Sequence, residues 1–334
     1  MKYDKTVIIA EAGVNHNGNL DLALELCDKA KSAGADVVKF QTWITDRIIT
    51  RSVKQADYQI ANTGDDQTQY EMLKSLELSQ EQFRVIKKHC DRIGIQFAST
   101  ADEIESLDFL IDLGIPFIKI GSGEIGNIPF LRYAGSKGLP IILSTGMSSL
   151  ADVELSIRAL LDGGANEISL LHCTTNYPCP FECVNLNAMD TLKNAFGYDV
   201  GYSDHTIGIE VPVSAVAKGA RIIEKHFTLD KQMKGPDHSA SMEPKEFAVM
   251  VQSIRHIEKA LGTGKKVPDK TEAELSSVIQ KKIVASREIQ EGELLTTENI
   301  CIKRSANGLP CRIWDYVIGT TAKRRFVIDE GIEF

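Results

Sequence analysis

Short apolar runs typical of buried strands recur along most of the chain, and each is followed by apolar residues at helical spacing. Helical patterns such as 19–34, 103–114 and 149–164 end in glycine, as many helices do, and 243–262 supplies the last one. The strand-like runs lie at 6–13, 36–42, 95–100, 117–123, 140–146, 168–174, 199–205 and 221–228.

Eight strands alternating with helices predict an α/β fold, a (β/α)8 TIM barrel, over residues 1–262. A doubly wound open sheet is the competing arrangement, and the lack of a GxGxxG motif after the first strand disfavours it. The polar segment 263–281 is predicted to be a linker. Residues 282–334 contain short β-like runs, and so small a domain is expected to dock on the barrel or on a second subunit. The long irregular segment 43–80 is expected to cover a site.

Composition narrows the classes of function. The net charge of −8 disfavours nucleic acid, which needs a basic face. No apolar stretch approaches the roughly 20 residues of a membrane helix, and the first run meets Glu11 too early for a signal peptide. Seven cysteines without framework spacing favour a reducing compartment, so we expect a cytoplasmic protein. Cys179 and Cys183 are spaced like half of a zinc site, but no second half follows.

The predicted strands end in polar residues, where a barrel without a site would carry Val, Ile or Ala. Active sites of (β/α)8 barrels are built at these carboxyl ends. Pairs two residues apart point to the same face of a strand. The strand-end residues are Glu11, Lys39, Gln41, Thr100, Lys119, Ser122, Ser144, Thr145, His172, Thr174, Ser203, His205, Glu224 and His226.

Two histidines end neighbouring strands. A lone strand histidine is usually a core residue with satisfied hydrogen bonds, but His205 and His226 at one level can converge on one ion. With Glu11, Glu124 or Glu224 nearby, such a pair suits a divalent metal that keeps open positions.

Three lysines lie within strands, where burial without a partner is costly. Alternation turns Lys225 away from His226, so we expect it to pair against a helix. Lys39 and Lys119 face the site, either as a Schiff-base nucleophile or as two cations for a phosphate or carboxylate. Hydroxyl and backbone donors at Ser122 and Ser144 favour the anion interpretation.

Taken in order, these motifs resemble the sialic acid synthase family. The matching segments are IAEAGVNHNG (9–18), KFQT (39–42), FAST (97–100), IKIGSGE (118–124), ILSTGM (142–147), LLHCTTNYP (170–178), GYSDHT (201–206), IEKHFTLD (223–230) and KGPDHSAS (234–241). The tail VASREIQEGELLTTENICIKR (284–304) resembles that family's antifreeze-like (SAF) domain. The resemblance implies a TIM barrel followed by this β-rich domain, in a domain-swapped homodimer.

The resemblance also implies roles for individual residues. His205 and His226 correspond to ligands of Mn²⁺ or Mg²⁺, and Glu11 and Glu124 to carboxylates near the metal, its waters and the sugar. The residues that correspond to a phosphoenolpyruvate site are Lys39, Thr100, Lys119, Ser122, Ser144, Asn176 and Ser203. Those that correspond to sugar contacts are Gln41, Glu124, Tyr177, Asp237 and Arg304, the last given by the partner subunit.

The implied reaction joins the methylene carbon of phosphoenolpyruvate to a sugar aldehyde, with addition of water and release of phosphate. The sugar expected from the overall resemblance is 2,4-diacetamido-2,4,6-trideoxymannose, which gives N,N'-diacetyllegionaminate; the alternative is N-acetylmannosamine. A Schiff-base aldolase and a non-catalytic sugar-binding protein are the competing interpretations. The chain departs from the family at Ala101 and Asp102, which put an acid beside the phosphate region, and at Ser305.

Overall fold

The computed structural model describes residues 5–334 apart from 57, 58, 61, 63, 65 and 66. The chain divides into two compact units, residues 1–262 and 263–334. Each unit is considered by itself below.

The first unit is a closed barrel of eight parallel strands in chain order, with β8 pairing with β1. The predicted TIM barrel is therefore confirmed. In its register, Glu11 lies beside both Lys39 and His226, and Thr100 lies beside Lys119. The strands are β1 Val7–Gly13, β2 Val37–Thr42, β3 Gln96–Ala101, β4 Ile118–Ile120, β5 Ile141–Ser144, β6 Ile168–Cys173, β7 Asp199–Asp204 and β8 Ile222–His226.

Helices follow the strands and begin and end at residues suited to those positions. Ser79 and Ser149 form capping boxes, and Gly94 and Gly164 end the same two helices with positive φ, a conformation that glycine adopts without strain. The α-helices of this unit are Leu20–Ser32, Thr45–Ile48, Gln69–Leu76, Gln80–Ile93, Ile104–Leu113, Ile128–Gly135, Leu150–Gly163, Ala188–Phe196, Glu210–Ala217 and Pro244–Ala260; short 3-10 turns lie at Ser122–Glu124, Phe181–Cys183 and His238–Ala240.

An apolar layer fills the barrel interior below the strand ends. Its buried members are Ile9, Val37, Ala98, Phe117, Ile142, Leu171 and Ile222. Because strand side chains alternate, the residue two positions later on each strand faces the same interior one layer higher. That next layer is polar, and it includes Glu11, Lys39, Thr100, Lys119 and Glu224. The period-two pattern thus places a packed apolar layer beneath the functional side chains.

The segment 43–80, predicted to be irregular, contains two of these helices, Thr45–Ile48 and Gln69–Leu76. Trp43, Met72 and Leu76 bury their side chains against Val14, so part of the segment packs above the first strand. Residues 57, 58, 61, 63, 65 and 66 lie between these two helices, so the prediction for 43–80 falls partly outside the described residues.

The second unit has a two-stranded antiparallel sheet of β9 Lys281–Ala285 and β10 Ile300–Arg304, with Arg304 opposite Lys281. Buried residues such as Ile283, Ile289 and Phe326 form its own core. The segment predicted to be a linker contains the exposed helix Lys270–Ile279, which begins with a capping box at Asp269. The remaining helical elements are Cys311–Ile313, a 3-10 turn, and Trp314–Val317. Among the described residues, no helix is both long and apolar enough to cross a membrane.

Candidate active site

A cavity of about 190 Å³ opens at the carboxyl ends of the barrel strands, where the sequence predicts the site. All eight strands, or the turns that follow them, contribute to its wall. The lining residues are Glu11, Lys39, Gln41, Thr100, Asp102, Lys119, Gly121, Ser122, Gly123, Ser144, Met147, Cys173, Thr175, Tyr177, Ser203, His205, Glu224 and His226.

Two buried lysines and two buried carboxylates form the floor of this cavity. Lys39 Nζ lies 2.5 Å from Glu11 Oε2 and 3.6 Å from Glu224 Oε2. Lys119 Nζ lies 3.4 Å from Glu224 Oε1, so Glu224 stands between the two cations. Burial works against ionisation of Glu224, but Lys119 and Lys39 outweigh it and hold its pKa at about 2. Burial instead raises the pKa of Glu11, which has a single close cation.

Hydroxyl groups complete the floor. Lys39 Nζ donates to Thr100 Oγ1 at 2.9 Å, and Lys119 Nζ donates to Ser144 Oγ at 2.9 Å. Ser203 Oγ donates to Glu224 Oε1 at 3.0 Å. Two fixed ammonium groups with hydroxyls beside them suit a ligand that carries carboxylate or phosphate oxygens.

Ser122 and Gly146 form one edge of the cavity. The Gly146 N–H donates to Ser122 Oγ at 2.9 Å, and Ser122 Oγ also lies 3.2 Å from Cys173 Sγ. A Cβ at position 146 would lie 2.3 Å from Thr175 Oγ1 and 2.8 Å from Ser122 Oγ. Glycine is therefore required here for the two strand ends to approach each other.

The two histidines face each other as predicted, with ring centroids 5.4 Å apart. Burial lowers the pKa of both, so both rings are neutral. His205 Nδ1 donates to the Thr174 carbonyl at 2.7 Å, which leaves Nε2 as the lone-pair nitrogen. Tyr177 packs against both rings, at 4.2 Å and 5.5 Å between centroids.

This donor set fits a metal ion with open coordination positions. Neutral imidazoles are good ligands for divalent transition metals, and a metal-binding histidine commonly donates its other N–H to a carbonyl, as His205 does. The buried His226 Nδ1 has no hydrogen-bond partner among the described residues. No cluster of three or more His, Cys, Asp or Glu side chains with metal-binding arrangement occurs in that part of the chain. The protein would thus supply two ligands and leave the rest to water and substrate.

Further polar groups surround the mouth of the cavity. Gln41 Nε2 donates to Glu11 Oε1 at 3.2 Å. Glu124 is half-buried, accepts a hydrogen bond from Asn127 at 2.6 Å, and has a pKa raised by burial. Asp237 Oδ2 lies 3.8 Å from His226 Nδ1, and burial raises its pKa to about 6. These groups are placed to bind hydroxyl and amide groups of a ligand above the floor.

A hydrogen-bonded contact between two loops positions Asp237. Asn17 Nδ2 donates to the Lys234 carbonyl at 2.9 Å, and Asn17 Oδ1 lies 3.2 Å from His238 Nε2. Asn15 Nδ2 donates to the Phe227 carbonyl at 2.9 Å. Segments 15–18 and 236–238 therefore hold each other in place. Asn15, Asn17 and His238 have a structural role in this contact.

The structure does not bring every predicted residue of the first unit to the cavity. Asn176 is exposed, and its neighbour Thr175 lines the cavity in its place. Arg304 is exposed on β10 of the second unit. Lys225 points away, as predicted, and pairs with Asp204 at 2.5 Å. Conversely, the sequence analysis predicts Glu224 only as one of several carboxylates near the histidines and gives it no separate role. Its spacing of two from His226 on β8 already indicates that it faces the barrel interior one layer below that histidine.

A larger cavity of about 550 Å³ lies between the turns after β5 and β6 and shares Met147, Cys173 and Thr175 with the candidate site. Its wall has no lysine, arginine or carboxylate. The smaller cavity is lined by the lysines, the carboxylates and the two histidines that can bind a metal ion, and it is therefore the candidate active site.

Comparisons with known proteins place the chain in a family. Residues 26–266 match the NeuB family, and residues 282–334 match the SAF domain. The chain is 46% identical to N,N'-diacetyllegionaminic acid synthase of Campylobacter jejuni, over 98% of this chain and 99% of that protein. It is 47% identical to the Legionella pneumophila protein of the same name, over 90% and 86% of the two chains.

Among solved structures, the N-acetylneuraminic acid (sialic acid) synthetase of Leptospira borgpetersenii, in complex with citrate, superposes with a TM-score of 0.72 at 36% identity. That match covers 81% of this chain and 90% of the other. The similarity spans both the barrel and the carboxyl-terminal domain of the relatives. The chain therefore belongs to the NeuB family, with a carboxyl-terminal SAF domain.

Proposed function

We propose that this protein condenses phosphoenolpyruvate with an acetamido sugar aldehyde to give a nine-carbon sugar acid and inorganic phosphate. The observation that carries the proposal is the floor of the cavity, where Lys39 and Lys119 stand with hydroxyls beside a pair of neutral histidines. An anion and an aldehyde oxygen are the two groups that such a site would bind side by side.

The sugar we propose is 2,4-diacetamido-2,4,6-trideoxymannose, with N,N'-diacetyllegionaminate as the product. The support is the identity of 46% and 47% to two proteins named for that product, across nearly the full chain. N-acetylmannosamine is the second candidate, since a solved relative at 36% identity is named for N-acetylneuraminic acid.

Phosphoenolpyruvate would lie on the floor, with its negative charges compensated by Lys39 and Lys119. Hydroxyls of Thr100, Ser122, Ser144 and Ser203 would hold its oxygens. The C–C bond forms when the electron pair of the enol double bond attacks the aldehyde carbon, and the aldehyde oxygen takes up a proton. Water then adds at C2 and loses a proton to a carboxylate, for which buried Glu11 with its raised pKa is suited. Phosphate leaves with cleavage of the C2–O bond, and the keto acid forms.

His205 and His226 would hold Mn²⁺ or Mg²⁺, and such an ion supplies Lewis-acid polarisation of the aldehyde when it is bound. Gln41, Glu124, Tyr177 and Asp237 surround the mouth of the cavity and would contact the sugar. Asn176 would contact phosphoenolpyruvate beside Thr175, the neighbouring residue that lines the cavity.

We propose that Arg304 reaches the sugar of a second subunit, in a domain-swapped homodimer that is the working unit. The SAF domain and the family match over most of the chain support this arrangement. We also propose that the protein acts in the cytoplasm, in keeping with seven free cysteines.

A Schiff-base aldolase is less compatible with the geometry. A nucleophilic lysine needs a lowered pKa. Burial does oppose the charge on Lys39, but Glu11 and Glu224 outweigh it and raise the pKa of this amine. Borohydride in the presence of pyruvate should therefore leave no adduct on Lys39 or Lys119.

The test is release of inorganic phosphate from phosphoenolpyruvate with Mn²⁺, comparing the 2,4-diacetamido sugar with N-acetylmannosamine. We expect sugar-dependent release that a chelator abolishes, and a higher kcat/KM for the diacetamido sugar. Preference for N-acetylmannosamine would select the second candidate. Inactivity with both sugars, metal supplied, would refute the proposal.

A further inference from the structure

Asp102 is a carboxyl group in the cavity that the proposed function leaves without a task. It is the first residue after β3, and both Asp102 and Thr100 line the cavity. Its N–H donates to the Thr42 carbonyl at 3.2 Å, which fixes the backbone at this point. Asp102 is thus held in place by its main chain while its side chain is presented to the cavity.

The side chain of Asp102 has no hydrogen bond or ion pair to any residue that the structure describes, although a lysine is near. Lys39 is already engaged by Glu11 at 2.5 Å and by Thr100 at 2.9 Å. Asp102 therefore does not serve as the counterion that this lysine needs. Asp102 is half-buried, and a carboxyl group that lines a cavity without an internal hydrogen bond is available for a ligand.

The surroundings of Asp102 indicate which ligand it would meet. Thr100, two residues earlier, and Lys39, which acts electrostatically on the carboxyl group of Asp102, both line the part of the cavity assigned above to phosphoenolpyruvate. An ionised carboxylate there would repel a ligand with two or three negative charges. A neutral carboxylic acid would donate a hydrogen bond to such a ligand, as protonated acids in apolar sites do.

We propose that Asp102 is a further phosphoenolpyruvate-binding residue, which in its neutral carboxylic acid form donates a hydrogen bond to an anionic oxygen of the ligand. This inference rests on the proposed function for the identity of the ligand. Its consequence is that binding of phosphoenolpyruvate takes up a proton whenever Asp102 is ionised beforehand.

The electrostatics of the free site agree with this role. Burial raises the pKa of Asp102 to about 7, with Glu124, Glu11 and Glu103 adding to the rise and Lys39 opposing it. Below that pH the donor is already present. Above it, affinity falls by about tenfold per pH unit, because each binding event then needs one proton.

The experiment is calorimetric titration of the full-length protein with phosphoenolpyruvate, in the absence of sugar, at pH 6 and 8.5. Two buffers of different ionisation enthalpy give the number of protons taken up. We expect about one more proton per ligand for the wild type than for Asp102→Asn at pH 8.5, and no difference at pH 6. Asparagine is a donor at every pH, so the ratio of the two Kd values cancels the titration of the ligand itself.

Two further variants define the role. Asp102→Ala has no donor and should bind phosphoenolpyruvate about 10- to 100-fold more weakly even at pH 6. Asp112→Asn, an exposed change on the helix after β3, should match the wild type throughout.

Equal proton uptake by the wild type and Asp102→Asn at pH 8.5 would overturn the inference. So would an unchanged Kd for Asp102→Ala, including the case in which only the KM for the sugar rises. If neither the wild type nor any variant binds phosphoenolpyruvate, the proposed function itself is refuted. That outcome differs from both results that refute only the role of Asp102.

Discussion

Glu224 offers the sharpest test of the electrostatic design of the site. It is buried between two lysines, and Ser203 donates a hydrogen bond to it. The substitution Glu224→Gln keeps the shape and an acceptor oxygen for Ser203 but removes the negative charge. Lys119 then loses the carboxylate at 3.4 Å, and two ammonium groups share the floor with Glu11 as their remaining close anion.

The cost follows from two independent arguments. A shift of the Glu224 pKa from 4.5 to about 2 corresponds to about 3 kcal/mol of stabilisation of the ionised form in the folded state. Breaking a buried ion pair by removing one partner typically costs about 3–5 kcal/mol. We therefore expect Glu224→Gln to lower the free energy of unfolding by about 3 kcal/mol at pH 7.

The pH dependence carries the signature of this mechanism. Because the folded-state pKa lies below the unfolded value, the stabilisation is fully present above about pH 4.5 and is lost as the pH falls towards 2. Loss of Glu224 also lowers the raised pKa of Glu11, which changes the difference in stability between the wild type and the variant near neutral pH. The contribution of Glu224 itself to that difference should be constant from pH 8 to pH 5. It should shrink between pH 4.5 and pH 2.

Urea denaturation followed by far-ultraviolet circular dichroism at several pH values measures these differences. Glu154→Gln is the matched control, since Glu154 pairs with Arg158 at 2.5 Å on an exposed helix face, where such pairs contribute about 0.5 kcal/mol or less. Inorganic phosphate should restore more stability to Glu224→Gln than to the wild type. A variant as stable as the wild type, or a difference that persists unchanged at pH 3, would refute the reasoning.

Three further predictions address other parts of the molecule. His226→Ala should lower metal-dependent phosphate release by about 100-fold or more and weaken Mn²⁺ binding in titrations, whereas exposed His256→Ala should change neither. Mixing inactive Arg304→Ala and His226→Ala dimers after subunit exchange should restore about a quarter of the wild-type activity if Arg304 acts across subunits, and none if it does not. Gly201→Ala should cost about 2–3 kcal/mol on urea unfolding because its Cβ would lie 2.3 Å from the Ile222 carbonyl, while Gly123→Ala, with open space, should not.

The barrel was predictable from the sequence because its signal is periodic and local. Alternation along each strand decides which side chains enter the barrel, so the sequence alone predicts that Lys39, Lys119, His205 and His226 face the cavity, as they do. The spacing of two between Glu224 and His226 carried the same information. This spacing identifies the face of β8 on which Glu224 lies, but it does not tell which side chains of other strands lie at the same level. The structure shows that those side chains are the two lysines.

Predictions were weaker where the backbone leaves regular structure. After β6 the chain turns, so alternation no longer tells whether Thr175 or Asn176 faces the cavity, and the structure selects Thr175. The polar composition of 263–281 suggested a linker, yet Asp269 and Glu272 cap a helix there. Capping depends on a few hydrogen bonds at one end, which average composition does not record.

The two-layer interior of the barrel also bears on how such proteins diversify. The apolar layer that includes Ile9 and Ile222 is formed by positions different from those that contact a ligand, although both sets lie on strands of the same barrel. A change at a ligand-facing position therefore leaves the packing beneath it intact. Substitutions at ligand-facing positions can therefore change the preferred sugar one at a time without destabilising the barrel. This separation allows related proteins to evolve different sugar specificities on one fold.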